Sequence, residues 1–422
     1  MHQNEHLIFT ILLQLIIMIG AARVMNTVFR KFRQPGVIGE IVAGLLLGPS
    51  FFGHFFPGQS AALFGASASP AIVVISQLGL ILLMFQIGMD FEFSHLQAKR
   101  NRNGVLVIAA LSVGVPLGLG ILAGRISAQV LAPGLNAVTY SLFVGVALAI
   151  TAVPILGRIL REFGLNRTEL GVVAISAAAI NDVTGWVLLA GVSAYATAQL
   201  SLGGIGGQIG GLALFVAVLW GALRSFVDWL LKRLPVREGE LPPNLMGIVL
   251  CLVLVLAICT FELGIFAIFG GFAAGLLFHR NKAFVEAWRR QVGQFVLVFF
   301  LPIFFTSTGL RTNLLGLNTG VDLQWLGIIL AVSLLGKIIP VYLGGRLTGF
   351  SHDESCILGA LMNTRALMEL IVLNIGYDLG FIPQSMFTML VVMAVVTTLM
   401  TGPLLKVLLP RIRHAIPEGV EA

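Results

Sequence analysis

The run Ala177-Ala178-Ala179-Ile180-Asn181-Asp182-Val183-Thr184-Gly185-Trp186 sets an amide and a carboxylate side by side inside an apolar segment of membrane-spanning character. An ionised Asp near a bilayer midplane costs on the order of 3 kcal/mol or more, so such a residue reads as functional by default. The bland alternative is a structural acid buried in an ion pair; the cost of burial favours function. An Asp carboxylate holds a proton or a small cation, but not comfortably both, and competition at one site is sufficient for exchange. Asn181 adds a neutral carbonyl acceptor without adding charge. Oxygen ligands suit a hard cation such as Na+ or K+, by the logic that gives Ca2+ and Mg2+ their oxygen shells.

Outward from that run, the chain has the composition of a membrane protein. Of 422 residues, 57% are hydrophobic and 11% charged, with a mean hydropathy of +0.97. Soluble domains carry about 25% charged residues. The net charge of +7 is no nucleic-acid signal, because Lys and Arg sit in short clusters between apolar runs, as in cytoplasmic loops beside anionic lipid. Cys251, Cys259 and Cys356 lie in apolar segments without CxxC or Cys/His spacing, and read as lone thiols rather than disulfides or metal ligands. The start, Met1-His2-Gln3-Asn4-Glu5-His6, has no basic n-region, and the following apolar run is too long for a cleaved signal peptide, so a retained first helix is expected.

With roughly 20 apolar residues per crossing, the chain divides into about thirteen spans. They fall near 6–29, 35–50, 70–89, 104–124, 138–160, 168–195, 207–232, 244–261, 263–279, 291–309, 325–346, 354–376 and 384–409. Alternate loops are basic: Arg30, Lys31 and Arg33; Lys99, Arg100 and Arg102; Arg158, Arg161 and Arg167; Lys232, Arg233 and Arg237; Arg280, Lys282, Arg289 and Arg290; Arg346; and Lys406, Arg411 and Arg413. The intervening loops hold little beyond Arg125 and Arg311. The positive-inside rule then places the N-terminus outside and the C-terminus inside, which an odd number of spans requires. No soluble domain is expected before or after the spans.

The most linker-like stretch, Leu234–Pro243, follows the seventh span and leaves six spans on each side. Six helices followed by an odd one turn a second copy upside down, which suits two inverted six-helix repeats, a transporter signature with the substrate site near the midplane. The fifth span of each half is interrupted. In the first, Ala149-Ile150-Thr151-Ala152-Val153-Pro154-Ile155 contains a proline that removes a backbone donor and clashes with the carbonyl four residues back. In the second, Met362-Asn363-Thr364-Arg365-Ala366-Leu367-Met368-Glu369 is polar at membrane depth. Taken alone Pro154 reads equally as a plain kink; the pairing of the two breaks favours a binding site.

Other polar residues at membrane depth are Lys337, Arg365 with Glu369, and Thr151 with Ser176. Lys337 is apolar on both sides; a buried ammonium loses its proton or finds an anion, and Asp182 is the natural partner. The alternative is a lysine near a helix end reaching the interface. Arg365 and Glu369, spaced i, i+4, share one face if helical, and a structural pair bracing the broken helix is favoured over direct ion binding. Thr151 and Ser176 would complete a cation shell, although hydroxyls in membrane helices more often bond to their own backbone. Glu40, Gln86 and Glu262 read as structural, interfacial or helix-end residues. No HExxH, GxSxG or GxxxxGK[ST] occurs, and the His residues form no metal constellation. The reading is therefore not an enzyme, with no cofactor beyond the transported ions.

Ile150-Thr151-Ala152-Val153-Pro154, Arg158–Gly164 and Ala178-Ala179-Ile180-Asn181-Asp182-Val183 together resemble the monovalent cation/proton antiporter superfamily over essentially the whole chain. Met362–Asn374 is similar to the branch holding plant and fungal cation/H+ exchangers and the membrane domains of glutathione-gated potassium efflux systems. The resemblance implies an all-α, thirteen-helix fold with crossed discontinuous helices and two parts. One is a dimerisation part over 1–100 and 244–320; the other is a mobile core over 104–195 and 325–410; a linking helix and loop span 207–243. It implies Asp182 as the cation- and proton-carrying residue, with Asn181 and Thr151 beside it, Lys337 as charge partner, and Ser176, Pro154, Asn363, Arg365 and Glu369 in support. It also implies elevator-like alternating access in a homodimer embedded in lipid, in a bacterial-type inner membrane. Electrogenic relatives commonly carry two consecutive acids, whereas the first position here is Asn181, so electroneutral exchange is expected. The electroneutral branch with an Asn-Asp pair often has a Glu five residues before the Asp; that position is Ala177, which keeps stoichiometry open. Efflux-type relatives carry a cytosolic nucleotide-binding domain, and none is expected here.

The function expected is exchange of Na+ or K+ for H+ at Asp182. A channel-like potassium pathway would need a filter motif of the kind found in potassium channels, which is absent. A sodium-coupled organic-anion symporter would need an anion centre, for which Arg365 is the only obvious candidate.

Overall fold

In lipid, backbone N–H and C=O groups must be satisfied within the chain, which leaves helices as the default for so apolar a sequence. The computed structural model describes residues 2–32, 34–65, 70–90, 102–165, 168–197, 202–237, 239–263, 266–365 and 367–411. The loop residues Arg33, Lys99, Arg100, Arg167 and Arg413 lie outside the described residues. Among the described residues there is no strand, only an isolated bridge between Arg237 and Glu240.

The helices are α1 (His2–Lys31), α2 (Gly36–Leu47), α3 (Phe52–Phe55), α4 (Pro57–Phe64), α5 (Pro70–Met89), α6 (Arg102–Leu131), α7 (Ala137–Ala149), α8 (Val153–Glu162), α9 (Glu169–Thr197) and α10 (Leu202–Val218). They continue as α11 (Arg224–Arg233), α12 (Pro243–Glu262), α13 (Ala267–Phe278), α14 (Lys282–Trp288), α15 (Leu301–Arg311), α16 (Gly320–Leu347), α17 (His352–Met362), α18 (Leu367–Asp378) and α19 (Gln384–Leu408). Among the described residues, three π-helical turns, Leu219–Leu223, Arg289–Gly293 and Val296–Phe300, interrupt the α-helical winding.

Among the described residues nine helices are long and apolar enough to cross a membrane, or ten if the pair Lys282–Gly293 and Val296–Arg311, bent by 41°, is one crossing. The chain is thus an all-helical, multi-pass membrane protein. The spans expected near 138–160 and 354–376 are not in that count because each is divided: α7 and α8 have 13 and 10 residues, α17 and α18 have 11 and 12. None of the four reaches the roughly 17 residues a crossing helix needs.

The chain forms two compact units, Met1–Arg23, Gly58–Glu92 and Ser193–Ser307 in the first and Val24–Pro57, Phe93–Val192 and Thr308–Ala422 in the second. In the first, α13 packs on α5 and α12. Gly271 and Gly275, one helical turn apart on α13, lie so near α5 that a Cβ on either would overlap the Ile81 or Phe85 carbonyl oxygen. Lipid offers no hydrophobic drive between helices, so close backbone approach through small residues carries the association. Gln86 is buried on α5.

In the second unit, α16 packs on α6, α17 and α19, and α6 packs on α7. Sequence sets these helix starts directly. Asn136 caps α7 by accepting from the Val138 and Thr139 amides. Thr319 with Asp322 and Ser351 with Glu354 form capping boxes on α16 and α17. Glu40 is buried and accepts from the Asn26 side-chain amide at 2.6 Å.

Gly275→Val is expected to push α13 off α5 and to cost about 1–3 kcal/mol, as overpacking does, read as a lowered thermal midpoint of the purified protein. Gly247→Val on α12, where a Cβ meets nothing within 4 Å, is the control and leaves the midpoint in place.

Candidate functional site

The site forms where two helices stop and restart. Between α7 and α8 the backbone unwinds over Ile150–Ala152, and between α17 and α18 it unwinds after Met362. The two breaks touch. The Ala152 amide donates to Thr364 O at 3.1 Å, and the Thr151 hydroxyl donates to Met362 O at 3.5 Å. Four helix ends therefore converge on one buried spot, each with unpaired backbone groups and about half an elementary charge.

The C-terminal end of α7 is held by two cations. Arg365 Nη1 donates to Ala147 O at 3.1 Å and Nη2 to Leu148 O at 2.8 Å. Lys337 Nζ donates to Ala149 O at 2.5 Å and to Ser112 O on α6 at 2.7 Å. Three successive carbonyls that the break deprives of helical partners are thus satisfied. Both cations are buried, Lys337 at 0% exposure, so the lysine does not reach an interface. Two buried guanidinium and ammonium groups side by side repel each other; the half-charge of the helix end and the Glu369 carboxylate, in the first turn of α18, offset that repulsion. Glu369 Oε2 lies 3.6 Å from Arg365 Nη1, and the Arg365 amide donates to Thr398 on α19 at 3.2 Å.

The N-terminal end of α8 faces the other way and meets an acid. The Val153 amide donates to the Asp182 carboxylate, an arrangement favoured by the positive helix end. Asp182 is 7% exposed, and its Oδ1 has no hydrogen-bond partner among the described residues. No Asp182–Lys337 ion pair occurs among the described residues; the two charges act on one another without touching. Asp182 and Glu369 balance Lys337 and Arg365, two against two.

Asn181 is fully buried. With its amide in one orientation Nδ2 donates to Ser112 Oγ at 2.7 Å and Thr151 Oγ1 at 3.3 Å. Turned over, Nδ2 donates to Ala177 O and Ala109 O, both at 3.2 Å, and Oδ1 accepts from Ser112 Oγ at 2.7 Å. Either way the amide ties α9 to α6. Ser176 is buried on α9 one turn before Asn181, and Pro154 is the second residue of α8. Asn363 caps α17; its Nδ2 donates to Thr397 O at 3.4 Å, and its Oδ1 is buried without a partner. The side-chain oxygens at the break are therefore carboxylate, hydroxyl and amide oxygens, the type that suits a hard cation. Among the described residues no group of three or more His, Cys, Asp and Glu is placed to hold a metal ion.

Sequence reasoning missed Ser112, which touches both Asn181 and Lys337. Its signal is weak: one hydroxyl, in Ala110-Leu111-Ser112-Val113, within an apolar span. It also missed that Arg365 reaches across to α7. The clue was the break itself, because a helix ended inside a membrane without a capping residue needs donors from elsewhere.

A family model described as "Sodium/hydrogen exchanger, transmembrane" matches residues 15–411. The chain belongs to the sodium/hydrogen exchanger family. Among relatives in the exchanger family, the Na(+)/H(+) antiporter NhaS4 of Synechocystis sp. is 33% identical over 97% of this chain and 100% of its own length. The K(+)/H(+) antiporter 1 of Saccharomyces cerevisiae is 30% identical over 97% of this chain, which spans only 47% of that larger exchanger. The solved structure of the sodium proton antiporter MjNhaP1 from Methanocaldococcus jannaschii superposes with a TM-score of 0.59 at 18% identity, covering 94% of this chain and 96% of the other. These relatives bear out the expected family, and that structure shares the fold.

Removing Arg365 orphans the Ala147 and Leu148 carbonyls and leaves Glu369 as a buried unpaired charge. Arg365→Ala is expected to cost about 3–5 kcal/mol. Glu369→Gln is expected to cost less, because it leaves both carbonyl bonds in place. Thermal unfolding of the two purified variants checks the order, and the reverse order would mean that the ion pair, not the carbonyl clamp, holds the break.

Proposed function

We propose that the chain exchanges a monovalent cation, Na+ or K+, for H+, with Asp182 as the shared site. The observation that carries this reading is the buried Asp182 carboxylate, whose Oδ1 has no hydrogen-bond partner and which, unlike Glu369, has no cation in contact among the described residues, at the meeting of two interrupted helices. An acid so placed is costly unless something fills the open lone pairs, and a proton or a cation does so in turn. Thr151 and Asn181 supply neutral oxygens beside it. Relatives named for Na+/H+ and K+/H+ antiport support the exchange and leave the choice of cation open.

Exchange is one for one and electroneutral in this reading. Asp182 is the one acid at the α8 end, since Asn181 fills the preceding position. Lys337 spends its contacts on the Ala149 and Ser112 carbonyls, so turnover at Asp182 need not carry the lysine proton with it. Proton and cation each bring a single positive charge to the same carboxylate, and the loaded core has equal charge in both crossings.

Counting α7 with α8, α17 with α18, and the short α13 as three further crossings brings ten to thirteen, with the interrupted pairs fifth and twelfth, one in each inverted six-helix repeat. The core, 104–195 with 325–410, would move as an elevator against a dimerisation part, 1–100 with 244–320, joined through 207–243. The protein would act as a homodimer in a bacterial inner membrane, N-terminus outside and C-terminus in the cytoplasm, in keeping with the basic loops.

In proteoliposomes with an imposed pH gradient, Na+ or K+ added to wild type is expected to collapse the gradient without generating a membrane potential. Asp182→Asn, which keeps the shape and removes the charge, is expected to be silent. A variant as active as wild type would remove Asp182 from the mechanism, and a current accompanying exchange would refute the one-for-one stoichiometry.

A further inference from the structure

Away from the crossing, within the first unit, a cavity of about 380 Å³ lies between the α11 segment and the end of α13. Its size is that of a small-ligand pocket, which runs from roughly 300 to 1,000 Å³. Trp220, Arg224, Asp228 and Lys232 form one wall; His279 and Arg280 form the other. Residues four apart drift by about 40° per step around an α-helix of 3.6 residues per turn. The wider π-helical turn at Leu219–Leu223 offsets part of that drift and brings the four side chains to one wall.

The lining holds three permanent cations against one carboxylate. Among the described residues none of Arg224, Lys232 and Arg280 is in an ion pair. Arg224 instead lies over the Trp220 ring, 5.7 Å from its centroid, an arrangement that fixes a guanidinium while leaving its N–H edge free to donate. Trp220, Phe226 and Trp229 are exposed on the same segment, and exposed aromatic rings next to basic side chains mark the depth of lipid headgroups. Leu214 and Val218, on the turns just before, are exposed as well. They offer an apolar track running away from the cavity, while Lys232 and Arg233 close the segment on the aqueous side.

We propose that this cavity binds a phosphate group, supplied by the headgroup of an anionic phospholipid whose acyl chains follow the α10–α11 surface. Guanidinium groups take a phosphate bidentately, and Asp228 accepts from a headgroup hydroxyl, which favours a glycerol headgroup over a choline. Basic pockets between membrane helices on the cytoplasmic side suit this chemistry. The site is independent of the exchange reaction proposed above.

The test uses the full-length protein, purified and delipidated, with its thermal midpoint and native mass spectrum read as phosphatidylglycerol, phosphatidylcholine or inorganic phosphate is added. Phosphatidylglycerol is expected to raise the midpoint and to persist as an adduct, and phosphatidylcholine is not. In Arg224→Ala, Arg280→Ala and the double variant, affinity is expected to fall about fivefold for each cation removed. Arg224→Lys, which keeps the charge and loses the bidentate fork, falls between Arg224→Ala and wild type, and Arg30→Ala with Lys31→Ala, outside the cavity, keeps all of it. If inorganic phosphate alone reproduces the shift, the phosphate site stands and the lipid source is overturned. If both lipids act alike, or the double variant binds phosphatidylglycerol as wild type does, the proposal fails. Should the double variant not fold, the three-ligand comparison on wild type decides.

Discussion

Everything at the crossing depends on what holds the three carbonyls at the end of α7. A helix that ends inside a membrane leaves backbone acceptors with neither water nor a following turn to satisfy them. Arg365 and Lys337 meet that need from two other elements, one from the opposing break and one from α16. Once those cations are fixed, the rest follows by charge balance. Glu369 offsets Arg365 at the head of α18, and Asp182 lies at the head of α8. The ends of α7, α8 and α18 each meet charge of the opposite sign, and of the two acids only Asp182 has no cation in contact.

Asp182 and Glu369 are both buried acids at helix N-termini with carboxylate oxygens that lack a hydrogen-bond partner, and a cation in contact is what separates Glu369 from Asp182. Glu369 faces a guanidinium at 3.6 Å. Asp182 has no cation in contact, only a backbone amide and a lysine whose donors are turned to carbonyls. A mobile cation or proton is the natural complement of the second arrangement, which has no cation of its own. Lys337 is thus better seen as a clamp on α7 that biases Asp182 through its charge than as a contact partner.

Much of this was legible in the sequence. An Asn-Asp pair in an apolar run, a proline-bearing break and a polar break in corresponding places pointed to one buried site, and the structure brings Thr151, Asn181, Arg365 and Glu369 to it. The cross-chain clamp was not legible, because sequence spacing shows Arg365 and Glu369 as neighbours four apart and says nothing of carbonyls more than two hundred residues away. The sequence reads 138–160 and 354–376 as single spans, whereas the structure divides them into α7 with α8 and α17 with α18, none long enough to cross alone. Ser112 was invisible because a lone hydroxyl in an apolar helix usually bonds to its own backbone, as its Oγ does to Ala109 O at 3.1 Å.

The central claim is that proton and cation compete for one carboxylate. The most direct measurement is the number of protons released when Na+ or K+ binds to the purified protein, from the buffer dependence of the calorimetric heat. The account predicts about one proton per cation for wild type at a pH where the cation-free Asp182 is protonated, falling to about half at the midpoint of its titration, since a ligand must be deprotonated to take up a metal ion, and no cation binding for Asp182→Asn. Cation binding with no proton release, or binding that survives in Asp182→Asn, would contradict it.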